Sequence, residues 1–350
     1  MFKKIHISMF LPMLIFSAAC TGGEEPREAA VFSSSGSRAG DFLSYIPVET
    51  NILFYANFNS LKNTPFGEDL SDELEDRIKV KPDDRDYREF VEETGVDLQR
   101  DIYEVMFASN GRDGSAQLGG AILRGKFDED RIVEYMKEER SHRVRDRSYR
   151  GYKIYQLDDR GRRRHNDFDG EFVFLNKETV AVGDPEWLEN VISLVEDDGK
   201  SVKENAVMVN FMEDIPDKEQ LWAVINLDEI SEDWHRRVRR SGSAFKGTQS
   251  IENMKSIIFH AEVHQTATLN LKGSFGTEEE AELLAETLNG FKAMAKLMMM
   301  DDKEAVDMLN EIKIRASGPV LRLTTTIDKD FISKIEEKRD KYRRKGIELP

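Results

Sequence analysis

One apolar pattern occurs twice in this chain and constrains its fold more than any other feature. Ile52–Phe58 reads ILFYANF and runs into Asn59, Ser60 and Leu61. Leu221–Leu227 reads LWAVINL and runs into Asp228, Glu229 and Ile230. In this register Asn57 falls on Asn226. Each is a short continuous apolar run of the kind that forms a buried strand, ending in polar residues suited to cap a helix.

The segments downstream of the two runs keep step. After the first, Thr64 and Pro65 open a helix predicted over Pro65–Ile78, with proline at the first helical position. A second helix, Asp86–Thr94, stops at Gly95. The counterpart after the second run is Ser231–Phe245. A hairpin comes next in each half. Ile102–Ser109 and Gln117–Arg124 flank the turn signals Asn110-Gly111 and Asp113-Gly114, and Ser256–His264 is followed by Ala267–Phe275. Helices are then expected over Asp128–Arg140 and Thr277–Met300. The second opens on a Thr277/Glu280 capping box and carries Leu284, Leu288, Phe291 and Ala295 on one face.

Each half then returns to strands and closes with a helix. The first has Tyr152–Leu157, Phe172–Leu175 and Val180–Val182, then Pro185–Val195 capped by Asp184. The second has Ile312–Ala316 and Val320–Ile327, then a helix from Lys329 to about Lys341 capped by Asp328. Each half therefore reads β-α-β-β-α-β-β-α. The first occupies residues 41–198 and the second 220–350, its last helix highly charged, with 199–219 as connector and a helix at Lys203–Met212. Hairpins succeeded by helices imply an α+β fold of antiparallel sheets with helices packed on one face.

The 350 residues hold 51 Lys+Arg against 67 Asp+Glu, a net charge of −16. A general nucleic-acid binder needs a basic surface, so that class is excluded, and no nucleic-acid partner is expected. Charged residues reach 34% and apolar ones 39%, which indicates a folded chain with a heavily charged surface.

The amino terminus is different. Lys3 and Lys4 precede Ile5–Phe16, twelve mostly apolar residues, too short to span a bilayer comfortably. Small residues Ser17, Ala18 and Ala19 come next, then Cys20, the single cysteine of the chain. This resembles the signal peptide and lipobox of bacterial lipoproteins, departing from it at Ser17, where that pattern usually carries leucine; Phe16 is the nearest large apolar residue. Cleavage after Ala19 by the general signal peptidase is the alternative. The resemblance implies a signal peptide at 1–19 and acylation of Cys20. The acyl chains would be the membrane partner, each buried CH₂ contributing about 0.8 kcal/mol. Thr21, where an aspartate would signal inner-membrane retention, implies delivery to the outer membrane. Residues 21–40 are rich in Gly, Ser, Glu and Ala and read as a flexible tether from the lipidated cysteine.

A second resemblance is looser. Ile46-Pro47, Glu49, the Ile52–Phe58 strand, and Pro65 with Gly67 look like the opening of a group of uncharacterised bacterial secreted proteins and lipoproteins. The segment Thr179–Val202, a strand into Gly183-Asp184 and an amphipathic helix, looks like the same group. It implies compartment and fold class, and brings no activity.

Catalytic signatures are missing. There is no phosphate-binding glycine loop, no GxSxG elbow and no HExxH. The best metal candidate is His260, Glu262 and His264, which period two places on one strand face. Alternate strand residues lie nearly 7 Å apart, so the two histidines stand about 13 Å from each other, too far to share one ion. The expectation is a solvated face and no metal or cofactor. Ile257, Phe259, Ala261 and Val263 should point the other way, into a core with Leu284, Leu288 and Phe291.

Two basic clusters, Arg160–His165 and His235–Arg240, could meet an anionic envelope component or acidic protein, or pair internally with the many acids. Met298, Met299 and Met300 read either as an adaptable binding surface or, more ordinarily, as the end of a buried helix closed by Leu309 and Ile312. The functional expectation is a non-catalytic, cell-envelope lipoprotein that binds or scaffolds a partner. A periplasmic, hydrolase-like enzyme and a small-molecule carrier with a pocket between the halves are the alternatives.

Overall fold

The computed structural model describes residues 39–67, 85–112, 117–138, 142–159, 170–217, 219–230 and 252–328. Cys20, the tether up to residue 38, both basic clusters, and the helices expected at Ser231–Phe245 and Lys329–Lys341 lie outside them.

Twelve strands are described. In the first half they are β1 (Ile52–Asn57), β2 (Ile102–Ser109), β3 (Gly119–Gly125), β4 (His142–Tyr149), β5 (Tyr152–Asp159), β6 (Glu171–Asn176) and β7 (Thr179–Gly183). In the second they are β8 (Leu221–Asn226), β9 (Ser256–Val263), β10 (Ala267–Ser274), β11 (Lys313–Ser317) and β12 (Val320–Ile327). The α-helices are α1 (Ala39–Leu43), α2 (Phe58–Lys62), α3 (Arg85–Thr94), α4 (Leu98–Asp101), α5 (Glu129–Glu138), α6 (Pro185–Val195), α7 (Ala206–Met212), α8 (Glu278–Met298) and α9 (Lys303–Glu311).

The fold is α+β, with all twelve strands in one antiparallel sheet ordered β11-β12-β10-β9-β8-β1-β2-β3-β7-β6-β5-β4. The two recurrent apolar runs, β1 and β8, are neighbours at its middle. Phe54 faces Ala223, while Ile52 faces Ile225 and Ala56 faces Leu221. The shift that puts Asn57 on Asn226 exchanges those last two pairs, so β1 and β8 meet about an approximate two-fold axis. Outward from it the order is β1-β2-β3-β7-β6 one way and β8-β9-β10-β12-β11 the other. The first half adds the hairpin β4-β5 at its edge.

Two expectations are corrected. The halves share one continuous sheet, because β1 and β8 are apolar on both edges of the would-be boundary and pair with each other. Helices also cover both faces. Runs of consecutive buried residues in β3, β6 and β7 leave neither face polar, so each needs a cover. On one face α6 places Trp187, Leu188, Val191 and Ile192 against Met106, Ile122 and Val173. Phe42 of α1 and Met208 of α7 join the same cluster. On the opposite face α5 packs Val133 on Tyr155 and Phe172, and α8 packs Ala281, Leu284 and Ala285 on Leu321. Burial of a side chain such as Leu188 or Ile192 contributes about 1.5–3 kcal/mol.

The connector is built into this body. Val202 comes just after a bridge between Pro47 and Ser201, and is fully buried with Met208 in the cluster under α6. Its helix is broken: a 3₁₀ turn, Val202–Glu204, precedes α7, because Asn205 caps α7 by accepting from Met208 N.

Both sheet edges are guarded. At β11 the outward carbonyls of Ile312 and Ile314 accept from Lys292 Nζ at 2.7 Å and Asn289 Nδ2 at 3.3 Å, both from α8. At the other edge β4 reads HRVRDRSY, and charge of this kind discourages edge-to-edge pairing.

Candidate functional site

The expected face of His260, Glu262 and His264 is not uniformly solvated. His264 Nε2 sits 3.1 Å from Glu262 Oε1 in an exposed pair. His260 instead turns toward the connector, where its Nδ1 lies 3.0 Å from Oε1 of Glu219. The Glu219 side chain is 5% exposed and that of His260 19%. The contact is poorly aligned as a hydrogen bond, and both Nδ1 of His260 and Oε2 of Glu219 are buried without a hydrogen-bond partner. The three residues proposed for a metal thus fall into two separate pairs. Among the described residues no group of three or more His, Cys, Asp or Glu is placed to hold an ion.

Glu219 lies two residues before β8, and its neighbour Gln220 clasps both backbone groups of Val263, Nε2 donating to the carbonyl and Oε1 accepting from the N–H. Asp214 pairs with Lys272 from the same connector. The connector and the residue that follows it are therefore clipped to β9 and β10 at three points. Nothing local to Ile257–Val263 could have shown this, because the partners of His260 come from beyond the hairpin.

Burial raises the Glu219 carboxyl above its ordinary 4.5, and the imidazole beside it opposes the rise. Such a group makes the fold more stable below its folded pKa, and that gain is lost as pH rises through it. His260→Ala should remove that opposing group. We expect a loss of about 1–3 kcal/mol at neutral pH, the cost of an unsatisfied buried group, instead of the ~0.5 kcal/mol of a surface substitution. The loss should shrink on acidification toward pH 4.5, because protonation of Glu219 removes the buried charge. Urea midpoints of wild type and variant at neutral and mildly acidic pH check both signs.

On β9 the apolar partition holds, but its partners differ from expectation. Ile257 packs with Leu284 and Leu288, whereas Phe259, Ala261 and Val263 join Phe54, Phe107 and Leu269 across the β1–β8 seam.

A second polar cluster is internal. Glu104 accepts from Tyr55 OH at 2.6 Å, Asn57 Nδ2 at 3.1 Å and Arg124 Nη1 at 3.0 Å. Burial first, then the adjoining carboxylate, holds the Tyr55 phenol protonated far above its ordinary 10.0. The Arg124 guanidinium also lies 4.5 Å over the ring of Phe42. This cluster, with Glu104 and Tyr55 buried and Asn57 and Arg124 partly so, reads as a structural tie between β1, β2 and β3.

An open depression of about 360 Å³ lies where β8 meets α8, bounded by Asp228, Asn253, Met254, Lys255 and Glu280. Its lining mixes charges of both signs and converges on no single group.

The methionine run departs from the ordinary reading. Met298 is 80% exposed, Met300 72% and Leu297 71%, with Met294 also exposed. The reason is length. At ~1.5 Å per residue the 21 residues of α8 extend about 31 Å, and its buried positions end in the first half of the helix. Beyond Asn289 and Lys292, which reach the β11 edge, the large apolar side chains of its last turns stay exposed.

The chain matches no protein-family model and no curated protein. Among solved structures, crystal form I of TP0453 gives a TM-score of 0.44 at 8% identity, over 85% of this chain and 96% of that one. Crystal form IV of TP0453 gives 0.43 at 10% identity, over 84% and 95%.

Proposed function

We propose that this is a lipid-anchored protein of the bacterial cell envelope whose folded part binds a partner and catalyses no reaction. The observation that carries the binding half of the reading is the exposed end of α8. Four large apolar side chains within seven residues, Met294, Leu297, Met298 and Met300, stand in solvent there, and the last three are the most exposed of their kind among the described residues. Unbranched methionines adapt to the surface they meet, so the patch suits a protein partner that inserts an apolar side chain or helix edge. The anchoring half rests on Cys20 directly after Ser17-Ala18-Ala19. The tether, residues 21–38 ahead of α1, would let the body stand up to ~59 Å from the acyl chains at ~3.3 Å per residue.

A photo-crosslinking residue in place of Met298 tests the binding reading in intact cells. A discrete adduct is expected, and it should vanish when Leu297 and Met300 are both changed to serine. Those changes should leave stability within about 0.5 kcal/mol of wild type, since both side chains are exposed. No adduct, or one that persists in the serine variant, would remove the patch as the binding surface.

A further inference from the structure

The approximate two-fold of the sheet sets matching rows of residues against each other, and one row has changed its chemistry. In the first half Ile122 on β3 faces Ala181 on β7, which faces Val173 on β6. All three are fully buried beneath α6. Carried through the register from β1 and β8, the same positions in the second half are Lys272 on β10, Arg322 on β12 and Arg315 on β11. The row begins alike in both halves, with Met106 and Ile258 each buried on β2 and β9. It then turns from apolar to cationic.

Three features make this row more than a solvated surface. Arg322 stands directly opposite Arg315 on one side and Lys272 on the other. Like charges at such positions repel and destabilise the pairing. Lys272 is neutralised by Asp214, but Arg315 and Arg322 are exposed and have no ion-pair partner among the described residues. That is notable in a chain where acids outnumber bases 67 to 51. Lys313, also exposed, lies two residues from Arg315 and so projects to the same face.

The surroundings indicate what would relieve the repulsion. Thr324 and Asn270, hydrogen-bonded to each other at 3.1 Å, and Thr326 supply hydroxyl and amide groups on the same face. No large exposed apolar side chain lies in this row, so it lacks the apolar centre of a protein–protein interface. Adjacent guanidinium forks match the paired oxygens of phosphate. The net charge of −16 disfavours approach to an extended anionic surface and leaves a small anion as the ligand that local cations can hold.

We propose that this face binds a small phosphate-bearing ligand, with Arg315 and Arg322 as the pair that grips it. The site is independent of the α8 patch.

The test uses the full chain in nonionic detergent, titrated calorimetrically with inorganic pyrophosphate at low salt. Saturable binding is expected, weakened about tenfold or more in Arg315→Gln and in Arg322→Gln. It should be unchanged in Arg112→Gln, which removes an exposed arginine at the β2–β3 turn. Without pyrophosphate both row variants should melt at or above the wild-type temperature, because the like-charge opposition is gone; this also shows that they fold. Absence of saturable binding, equal affinity in the row variants, or binding to phosphatidylglycerol vesicles with none to pyrophosphate would each overturn the proposal.

Discussion

Gly120→Ala should destabilise the protein by about 3 kcal/mol, although it adds one methyl group. Gly120 and Gly183 face each other across β3 and β7. A Cβ on Gly120 would come within 2.4 Å of the Val182 carbonyl oxygen and 2.5 Å of the Trp187 ring, and one on Gly183 within 2.6 Å of the Gly119 carbonyl oxygen and 2.7 Å of that ring. The paired glycines leave a shallow trough in the sheet, and the first turn of α6 lowers its tryptophan into it. Trp187 is 1% exposed, so the ring cannot swing away without vacating the core. Trp187→Ala alone should cost about 3–5 kcal/mol. The double variant Gly120→Ala/Trp187→Ala should cost less than the sum, because the methyl then clashes with the Val182 carbonyl alone and no longer with the ring. Denaturant midpoints of the four proteins decide it; strict additivity would mean that the two residues do not meet as described.

Glu104→Ala should be comparably severe, about 3–5 kcal/mol. The carboxylate is 5% exposed and receives three donors. Its removal leaves the buried Tyr55 hydroxyl and the partly buried Arg124 guanidinium and Asn57 amide without their shared acceptor. Glu104→Gln keeps one acceptor oxygen and should lose less. Equal losses for the two variants would show that packing volume, and not the charge, matters at this position.

The sequence and the structure agree where a signal is local. Pro185–Val195 has the predicted bounds, since proline sets its start and the apolar face runs unbroken to Val195. Asp184 precedes it as expected, yet its carboxylate accepts from Gly119 N at 2.8 Å instead of capping the helix. The Thr277/Glu280 capping box forms as read. Strand β4 is not legible in the sequence, because HRVRDRSY has a single aliphatic residue and is held by pairing with β5 at an edge. Helix α9 is hidden for a related reason: Leu309 and Ile312 look like core closure after Met300, and the only start signal is Asp302, one acid among many, which caps the helix at Ala305 N.

The polar contacts are the least legible. Glu219 and His260 are 41 positions apart, and only the two-sided sheet brings the connector over β9. Arg315 and Arg322 look ordinary in the sequence, because only strand register sets them face to face. Acids and bases are so frequent here that proximity in sequence says little about partnership; long-range pairing decides it.

The anchoring claim is tested most directly by metabolic labelling with radioactive palmitate in a bacterial host that processes lipoproteins. Label should enter the wild-type protein and be absent from Cys20→Ser, and the variant should leave the membrane fraction for the soluble envelope fraction. Incorporation into both proteins, or equal membrane retention of both, would contradict the account.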